Sequence, residues 1–535
     1  MSVGERRTVC ILCAGVGSRM GRALGWVNKA LLPIDERAII SWLIERFGGD
    51  ARYVIGLGHR AGQVRGYLEL AHPETEFVFV EVEPWRGAGS GPGRSLLCCR
   101  EAIGERRAFY FAPCDALLGE GVDLERGGDW VGVSEVPEAE SHKYCNFELE
   151  GDRVVGIADK RRVSGAGRRA FTGVMRIEST HTFWKGLAGG GLVEGESQVS
   201  NGLEALVRGG TLRAVAMDWT DLGDERAYRR ELVRRAGFDF SKPGEALYIV
   251  NGRVIKLFED EAAARGRAER AGLGPGVFPE MIEAPSGFVA YRYEAGRTLY
   301  HSIDRERLGR LLGWLEGALW RAADAGADGF EAACERFYRE KTLARVRRLE
   351  ELGGLGGQAT RVGGVETARV ETLLERVDWS MLRRGGEPVF FHGDLQFDNV
   401  LERPDGTFTL LDWRQDFAGD LRSGDLDYDL AKMIGGIRMN YARIKRGEVA
   451  HETIGDDARL TYPSCPDAAA LEGDVLAYGV SRGRDPRRIR LIVGLIYLNM
   501  AALHGEPFRR VLRDAARVAI GQAIEGVGRA GGCAA

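Results

Sequence analysis

The sequence predicts an N-terminal α/β domain, with helices on both faces of a mainly parallel sheet, followed by a C-terminal α+β domain. The chain has 535 residues, about twice what one hydrophobic core supports. The first third alternates short β-rich runs with helix-like runs, a pattern typical of βαβ units. Near residue 237 this pattern gives way to a hairpin and then to long amphipathic runs. We therefore predict domains at residues 1–236 and 245–535.

Short β-rich runs define the predicted N-terminal sheet. They are Thr8–Cys13, Tyr53–Leu57, Phe77–Val82, Phe109–Ala112 and Trp130–Ser134. Ligands of such sheets bind at the carboxyl ends of the strands. We therefore expect the glycine-rich loop after the first run and Asp115 after the fourth to face the same edge of the sheet.

The second domain is predicted to begin with a tight hairpin after a turn-rich bridge, Phe238–Gly244. Asn251-Gly252 is a strong type I′ turn signal, and it joins Leu247–Val250 to Arg253–Phe258. The amphipathic runs that follow predict a mostly helical lobe. These runs include Glu306–Ala323 and Arg339–Leu352.

Composition and charge exclude several classes of protein. Hydrophobic residues make up 44% and charged residues 28% of the chain, as in ordinary soluble globular proteins. The net charge of -4 leaves no basic excess for non-specific binding of nucleic acid. The most apolar stretch, Leu491–Leu503, is too short to span a bilayer, and the N-terminus lacks the apolar core of a secretory signal.

The nine cysteines are predicted to be reduced thiols, because several lie inside apolar runs. Cys10-x-x-Cys13 has the spacing of a redox or metal pair, but a zinc site needs two further ligands at similar spacing, and the sequence offers none. We expect a cytoplasmic protein whose partners are small molecules. The oligomeric state stays open.

A glycine-rich loop follows the first predicted strand. Its residues are Ala14, Gly15, Gly17, Ser18 and Arg19. Glycines let backbone N–H groups turn toward an anion, and the arginine adds positive charge. The loop lacks the third glycine of a dinucleotide-binding loop and the Gly-Lys-Ser/Thr of a P-loop.

With Lys29 before Pro33, Asp115 at a strand end and Asp221-Leu-Gly223, residues 8–230 resemble the nucleotidylyltransferases of the glycosyltransferase-A-like fold. This group includes sugar-1-phosphate and phosphocholine enzymes. The resemblance implies a Rossmann-like sheet and a loop that cradles the phosphates of an NTP. It further implies that Lys29 and Arg19 neutralise charge at the reacting phosphorus and that Asp115 and Asp221 hold Mg²⁺.

The chemistry of nucleotidylyl transfer requires these residue types. A phosphate monoester attacks the α-phosphorus of an NTP, and pyrophosphate leaves. Because two anions must approach each other, cationic side chains and a carboxylate-bound cation supply most of the stabilisation. Lys160, in Asp159-Lys-Arg161, resembles an element that contacts the acceptor phosphate in sugar enzymes. The alternative is a solvated charge run.

A second motif lies in the C-terminal half. His392-Gly-Asp394 is followed by Asn399 and, after an apolar run, by Asp412-Trp-Arg414. In kinases the first Asp orients the attacking hydroxyl, while the Asn and the second Asp bind Mg²⁺. The form of this motif, over roughly residues 245–510, resembles the aminoglycoside phosphotransferase/choline kinase family. The resemblance implies a protein-kinase-like fold, with Asp394 as the base and Asn399 and Asp412 as Mg²⁺ ligands.

Four further positions are assigned with this motif. Lys256 lies among apolar neighbours on the second hairpin strand, which suggests a lysine that binds ATP phosphates and pairs with a helix glutamate. Glu269 is the candidate partner, and the alternative is a snorkelling edge-strand lysine. Asp425 and Asp429 match a family position that braces the catalytic loop.

Together the two resemblances imply a two-step activation. A small alcohol plus ATP gives a phosphate ester, and the ester plus a second NTP, CTP or UTP, gives an NDP-linked product and pyrophosphate. Mg²⁺ is expected in both sites, and such products feed the synthesis of polysaccharide, lipid or glycoconjugate. The glycine-rich stretch Gly87–Leu97 resembles that of sugar-1-phosphate enzymes, so we favour a sugar or polyol.

Two alternatives stay open. The first is choline or ethanolamine activated with CTP, which requires an aromatic cage for the ammonium group. The candidate cage residues are Trp314, Trp320, Trp413 and Tyr497. The second alternative is that one domain only binds its nucleotide.

Overall fold

The computed structural model describes residues 6–121, 123–163, 167–236, 244–274, 276–323 and 326–526. The chain forms two compact units. The first comprises Met1–Arg235 and Gly244–Glu259, and the second comprises Ala236–Pro243 and Asp260–Ala535. The predicted hairpin thus groups with the first unit. All but the last residue of the predicted bridge, Phe238–Gly244, lies outside the described residues.

The first unit contains seventeen strands, eight α-helices and three short 3₁₀ helices in its described residues. The strands are β1 (Thr8–Leu12), β2 (Pro33–Ile34), β3 (Arg37–Ala38), β4 (Arg52–Leu57), β5 (Glu76–Glu81), β6 (Phe109–Pro113), β7 (Ala116–Leu118), β8 (Trp130–Ser134), β9 (Cys145–Glu150), β10 (Arg153–Asp159), β11 (Arg168–Ile177), β12 (Leu192–Val193), β13 (Glu196–Ser197), β14 (Arg213–Ala216), β15 (Trp219–Asp221), β16 (Glu245–Val250) and β17 (Arg253–Phe258). The helices are α1 (Gly21–Leu24), α2 (Ile39–Phe47), α3 (Ala61–Ala71), α4 (Pro92–Cys98), α5 (Arg100–Ile103), α6 (Thr180–Gly189), α7 (Ser200–Arg208) and α8 (Glu225–Ala236).

A nine-stranded sheet with the order β5-β4-β1-β6-β11-β8-β14-β10-β9 forms the centre of this unit. The first four strands in this order are parallel, as predicted. Strand β11 then runs antiparallel to both β6 and β8, so the sheet is mixed. Because β1 and β6 are parallel neighbours, the glycine-rich loop and Asp115 leave the same edge of the sheet.

The hairpin of β16 and β17 turns as its sequence predicts. Asn251 and Gly252 both have positive φ angles, 47° and 71°, as a type I′ turn requires. The hairpin is bonded to the rest of the first unit, because the Tyr248 hydroxyl donates to the Leu31 carbonyl at 2.6 Å. The side-chain amide of Asn251 likewise donates to the Ala71 carbonyl at 2.8 Å.

The second unit is mainly helical. Its strands are β18 (Met281–Ile282), β19 (Phe288–Arg292), β20 (Arg361–Val362), β21 (Val365–Glu366), β22 (Pro388–Val389), β23 (Val400–Glu402), β24 (Phe408–Leu410), β25 (Gly424–Asp425), β26 (Ala450–Ile454) and β27 (Asp457–Thr461). Its helices are α9 (Glu261–Leu273), α10 (Arg305–Ala318), α11 (Ala327–Cys334), α12 (Lys341–Glu351), α13 (Val370–Arg376), α14 (Trp379–Arg384), α15 (Leu426–Arg438), α16 (Tyr441–Ile444), α17 (Ala468–Ser481), α18 (Pro486–Ala501) and α19 (Phe508–Glu525).

Two predicted helical runs have different limits in the structure. Helix α10 ends at Ala318, five residues before the end of its predicted run, because Trp320 turns inward and Ala322 forms a β-bridge with Val389. The run that leads into α12 begins with a π-helical segment, Glu335–Glu340. Such segments are frequent at functional sites.

The apolar stretch around α18 is part of the protein core. Eleven of its sixteen residues are buried, so a helix that is hydrophobic nearly all round lies among other helices. In the described part of the chain, no helix has both the length and the apolar character needed to cross a membrane. The eight described cysteines are all free thiols.

Candidate active sites

Asn28 holds the segment next to the glycine-rich loop of the first unit in place through hydrogen bonds. Its side-chain amide donates to the carbonyls of Cys13 at 3.0 Å and His59 at 2.8 Å, and its oxygen accepts from the Ala30 amide. The side chain is almost fully buried. Asn28 therefore starts the turn that carries Lys29, and Gly17, whose φ is +67°, lies directly over the Lys29 stem.

The structure brings Asp115 and Asp221 together. Strand β15 pairs with β7, which places Asp221 opposite Ala116, and the Leu222 amide donates to the Asp115 carbonyl at 2.9 Å. Burial raises the pKa of Asp221, and the nearby Asp115 carboxylate raises it further. Two neighbouring carboxylates that disfavour each other's charge form a site that a cation stabilises.

Two cationic side chains meet these carboxylates. The Lys29 ammonium forms an ion pair with Asp115 and donates to the Gly223 carbonyl at 3.1 Å. The Arg19 guanidinium also reaches Gly223, where Nη2 would lie 3.3 Å from a β-carbon at that position. Lys29, Arg19, Asp115 and Asp221 are thus gathered around one glycine at the edge of the sheet.

Tyr144 belongs to this cluster, although no sequence motif indicates it. Its hydroxyl donates to Asp221 Oδ2 at 3.0 Å, while the Gly223 amide donates to Oδ1 at 2.8 Å. Burial raises the pKa of Tyr144, so it acts as a neutral donor. The orientation of the Asp221 carboxylate is therefore fixed by two hydrogen bonds.

Lys160 lies on the far side of Tyr144. Its backbone amide donates to the Tyr144 carbonyl at 3.1 Å. Its ammonium lies 3.3 Å from the Glu194 carboxylate and 3.5 Å from that of Glu196. The side chain is therefore engaged by two acidic groups in this structure.

In the second unit, His392 braces the catalytic loop. It is completely buried. Its Nε2 lies 2.9 Å from the Leu411 carbonyl, and its Nδ1 accepts from the Asp394 amide at 3.2 Å. Burial lowers the pKa of His392 to about 4, so the ring is neutral at neutral pH. It joins the loop that carries Asp394 to the strand end that precedes Asp412.

Asp429 holds the same loop from the other side. Its carboxylate accepts from the amides of His392 at 2.8 Å and Gly393 at 2.7 Å, and from the Trp320 indole at 3.0 Å. Burial raises the pKa of Asp429 to about 6. The buried carboxylate is stabilised by these three donors.

Asp394, Asn399 and Asp412 lie in one connected segment. The Asn399 side-chain amide donates to the Asp394 carbonyl at 2.8 Å, and the Leu411 amide donates to the Asn399 carbonyl at 2.8 Å. Asp412 follows directly, with a φ of 54°, and its carboxylate forms an ion pair with Arg267. Cationic charge thus already lies against the carboxylate expected to bind metal.

Both clusters fit Mg²⁺. The first offers two carboxylates, Asp115 and Asp221, and the second offers the Asn399 amide oxygen and the Asp412 carboxylate. No group of three or more His, Cys, Asp or Glu residues suited to a metal occurs among the described residues. Mg²⁺ is commonly bound by one or two carboxylates and completes its octahedron with water and substrate phosphates, so two protein ligands per site suffice.

Lys256 is buried on β17, and its ammonium lies 3.4 Å from the Glu245 carboxylate on the neighbouring strand. Glu269 lies on an exposed face of α9, where Arg265 is 3.9 Å away. The pairing of Lys256 with Glu269 stays a prediction.

The candidate cage aromatics are engaged in the core. Trp413 stacks on Phe278 with ring centroids 4.4 Å apart and donates to the Arg267 carbonyl. Trp320 binds Asp429, and the Tyr497 hydroxyl donates to the Gly435 carbonyl at 3.0 Å. Trp314 packs against Phe408. These four rings do not form a common cage.

Four cationic residues lie near Asp394, and of these only Arg414 belongs to a motif identified in the sequence. Lys341 and Arg345 lie on α12, Arg414 follows Asp412, and the Lys432 ammonium lies 2.7 Å from Asp394 Oδ1. The i, i+4 spacing of Lys341 and Arg345 indicates one helix face. Nothing local in the sequence, however, indicates that this face meets the catalytic loop.

Two family models match the chain. Residues 9–122 match the MobA-like NTP transferase domain, and residues 253–468 match the phosphotransferase enzyme family. The chain carries an NTP transferase domain at its N-terminus and a phosphotransferase domain at its C-terminus, and both belong to enzyme families. This confirms both resemblances inferred from the sequence.

Several solved structures are similar to part of the chain. UDP-glucose pyrophosphorylase from Acinetobacter baumannii is 16% identical, with a TM-score of 0.37, over 43% of this chain and 94% of that one. A putative glucose-1-phosphate thymidylyltransferase from Bacillus anthracis is 18% identical, with a TM-score of 0.36, over 45% and 98%. The inositol-1-phosphate CTP transferase from T. maritima is 18% identical, with a TM-score of 0.35, over 43% and 96%. Among curated proteins, none matches the chain.

Proposed function

We propose that the chain activates a small hydroxylated metabolite in two steps. The phosphotransferase domain transfers the γ-phosphoryl group of ATP to the metabolite. The NTP transferase domain then joins the phosphate ester to a second nucleotide, CTP or UTP, and releases pyrophosphate. The observation that carries this proposal is the presence of two separate clusters, Asp115 with Asp221 and Asn399 with Asp412, each suited to Mg²⁺. Cationic side chains lie beside both clusters, Lys29 and Arg19 at the first and Arg267 at the second.

In the first step, Asp394 is the proposed base. The hydroxyl oxygen of the acceptor forms a bond to the γ-phosphorus, the bond from that phosphorus to the bridging oxygen breaks, and ADP leaves. The hydroxyl proton passes to the Asp394 carboxylate. Asn399 and Asp412 would hold Mg²⁺, which neutralises phosphate charge when bound.

In the second step, Lys29 and Arg19 provide the positive charge at the α-phosphorus. An oxygen of the phosphate ester bonds to that phosphorus, and the bond to the pyrophosphate group breaks. The glycine-rich loop of Ala14, Gly15, Gly17 and Ser18 would cradle the NTP phosphates through backbone N–H groups. Asp115 and Asp221 would hold the second Mg²⁺.

A sugar or polyol is the favoured metabolite, and a cytoplasmic location fits these small-molecule substrates. The glycine-rich stretch around Gly91 supports a sugar, because it resembles the corresponding stretch of sugar-1-phosphate enzymes. Gly91 approaches the Ser197 backbone so closely that a β-carbon would lie 2.6 Å from its carbonyl oxygen. The products would serve the synthesis of polysaccharide or another glycoconjugate. Choline or ethanolamine is the second candidate metabolite. It is less favoured, because the aromatic residues considered for an ammonium cage are engaged in contacts within the core.

Two single substitutions in the full chain test the proposal. Asp394→Asn removes the proposed base, so the rate of ATP-dependent phosphorylation should fall by about 10³-fold. Pyrophosphate release from a supplied phosphate ester and NTP should stay unchanged. Asp115→Asn should give the opposite pattern.

A panel of alcohols with ATP and Mg²⁺, followed by CTP, UTP, GTP or dTTP, would identify the substrates by mass spectrometry. Asp398→Asn, four residues from Asp394 and paired with Lys445 at 2.7 Å, is the matched control and should leave both activities intact. If either Asp394→Asn or Asp115→Asn left its reaction untouched, that domain would be a binding module only.

A further inference from the structure

A cavity beside Asp394 is left unused by the reaction as described so far. Its volume is about 100 Å³. Helices α12, α15 and α18 and the segment after Asp412 contribute its wall, which contains four cationic side chains. These are Lys341, Arg345, Arg414 and Lys432. The described residues of the wall include no carboxylate.

Lys432 connects the cavity to the proposed base. The Lys432 ammonium is part of the wall and lies 2.7 Å from Asp394 Oδ1. Arg414 is held next to the same loop, because its amide donates to the His392 carbonyl at 2.9 Å. Its side chain also lies against Gly393, where an added β-carbon would be 2.6 Å from Arg414 Cβ. A molecule in the cavity would therefore lie within reach of Asp394.

Two of the cations share one aromatic ring. The Lys341 ammonium lies 3.6 Å from the centroid of the Phe337 ring, and the Arg414 guanidinium carbon lies 4.9 Å from it. The ring belongs to the π-helical segment Glu335–Glu340. Phe337 therefore draws positive charge to the cavity, and a substrate ammonium group near this ring would meet two cations.

Two of the cations, Lys341 and Arg345, are buried beside like charges. Burial lowers the pKa of Lys341 well below its usual range, and Arg414, Lys432 and Arg345 lower it further, while Asp416 acts in the opposite direction. Burial also lowers the pKa of Arg345, and Arg414 adds to this effect. Buried charge of one sign is costly unless an opposite charge accompanies it. A bound anion would supply that charge.

We propose that the acceptor is a small hydroxylated anion whose carboxylate or phosphate oxygens are bound by Lys341, Arg345 and Arg414 while its hydroxyl faces Asp394. This inference rests on the proposed kinase activity and names its substrate class. The reaction is unchanged: the hydroxyl oxygen takes the γ-phosphoryl group, its proton passes to Asp394, and ADP leaves. The anionic group of the acceptor is not altered.

The first test compares acceptors of one carbon skeleton that differ in charge. Glucose, glucuronate, glucose 6-phosphate and glucosamine form one series, and glycerol, glycerate, glycerol 3-phosphate and choline form another. With the full chain, ATP and Mg²⁺, we expect kcat/KM for an anionic member to exceed that of its neutral counterpart by about tenfold or more. The carboxylate and phosphate members show which anion is bound. A preference for the neutral or cationic members would overturn the inference.

The second test removes the cations one at a time. Lys341→Met and Arg345→Met should each lower kcat/KM for the anionic acceptor by about tenfold, while KM for ATP stays unchanged. Removal of one of several like charges does not threaten folding. Arg347→Met is the matched control, since Arg347 is exposed on the same helix and does not line the cavity. Equal losses in Arg347→Met would contradict the proposal.

Equilibrium binding separates this inference from the proposed function. Inorganic phosphate is titrated into the full chain with saturating Mg–ADP, and heat is measured. Lys341→Met and Arg345→Met should weaken the binding by about tenfold, and Arg347→Met should not. If no alcohol is phosphorylated, the kinase proposal fails, but this measurement still shows whether the cavity binds an anion. Phosphate binding that is insensitive to both substitutions would overturn the anion site.

Discussion

A single backbone position, Gly393, sets the place of Arg414. Its φ of +85° is one that residues with side chains rarely adopt, and a β-carbon there would collide with Arg414. The glycine of His-Gly-Asp therefore allows the arginine to lie against the catalytic loop. In this motif, the absence of a side chain has a direct structural purpose.

Gly393→Ala should lower the rate of phosphoryl transfer by about 10²-fold, because the loop that carries Asp394 must shift to admit the methyl group. Steady-state kinetics of ADP formation would show this loss, and pyrophosphate release should be unaffected. Gly419→Ala is the control. Its φ is +96°, but no atom lies within 4 Å of the added β-carbon. An equal loss in both variants would attribute the effect to backbone strain alone.

His72 makes the first unit sensitive to acid. It is buried, its Nε2 lies 2.7 Å from the Ser41 hydroxyl, and burial lowers its pKa to about 4. The unfolded chain binds a proton near pH 6.5, so between pH 6.5 and 4 the unfolded state holds more protons and the free energy of unfolding falls as pH falls. We expect a loss of about 2 kcal/mol between pH 7 and 5.

Urea unfolding at both pH values, with hydrogen exchange of peptides from α3, would measure this loss. His72→Gln should remove most of the pH dependence, whatever its effect on stability at pH 7. His142→Gln, at an exposed position, should retain it. An unchanged pH dependence in His72→Gln would show that other groups are responsible.

At the scale of elements, helix α9 supports the catalytic loop through Arg270. This side chain is fully buried and donates to the carbonyls of Leu421 at 3.1 Å, Arg414 and Phe391. Burial lowers its pKa to about 10, which leaves it charged. One arginine thus satisfies three carbonyl groups that flank the two catalytic segments.

Arg270→Gln should lower the free energy of unfolding of the second unit by about 3 kcal/mol, because buried carbonyl groups lose their donors. Chemical denaturation monitored by fluorescence would measure this loss. Arg265→Gln, on an exposed turn of the same helix, should change stability by less than about 0.5 kcal/mol. Similar losses in the free energy of unfolding for both variants would mean that the buried hydrogen bonds of Arg270 contribute little to stability.

The regular elements were largely predictable from the sequence. The β-rich runs correspond to β1, β4, β5, β6 and β8. For β1, β4 and β6 the reason is that buried parallel strands are continuous apolar runs. The hairpin turn was readable because Asn-Gly has a local conformational preference. The end of α10 was not readable, since it depends on Trp320 reaching Asp429, more than a hundred residues away.

The residues of the candidate sites also fall into two groups, those that sequence motifs indicate and those that only the tertiary fold brings to the site. Motif residues such as Asp115, Asp394 and Asp412 were found by spacing within a segment. Tyr144 and Lys432 were missed because each reaches its partner carboxylate only through the tertiary fold. Short-range patterns indicate the chemistry of a site, whereas the groups that orient or neutralise it come from distant segments.

For the whole molecule, the two sets of candidate catalytic and metal-binding carboxylates lie in different compact units. Asp115 and Asp221 lie in the first unit, and Asp394, Asn399 and Asp412 lie in the second. We therefore expect an equimolar mixture of Asp394→Asn and Asp115→Asn chains to convert the alcohol to the NDP-linked product. Mass spectrometry of the mixture would show it, with each variant alone as the control. Failure of the mixture would indicate that the intermediate is not released.

The attachment of the β16–β17 hairpin to the first unit has a practical consequence for separating the two activities. A protein truncated at residue 236 would lose the Tyr248 hydroxyl and the Asn251 amide, and the carbonyls of Leu31 and Ala71 would lose their donors. The Tyr67 ring, 4.7 Å from Tyr248, would be uncovered. A recombinant N-terminal fragment that ends at residue 236 is therefore expected to aggregate, whereas one that retains the hairpin keeps these contacts.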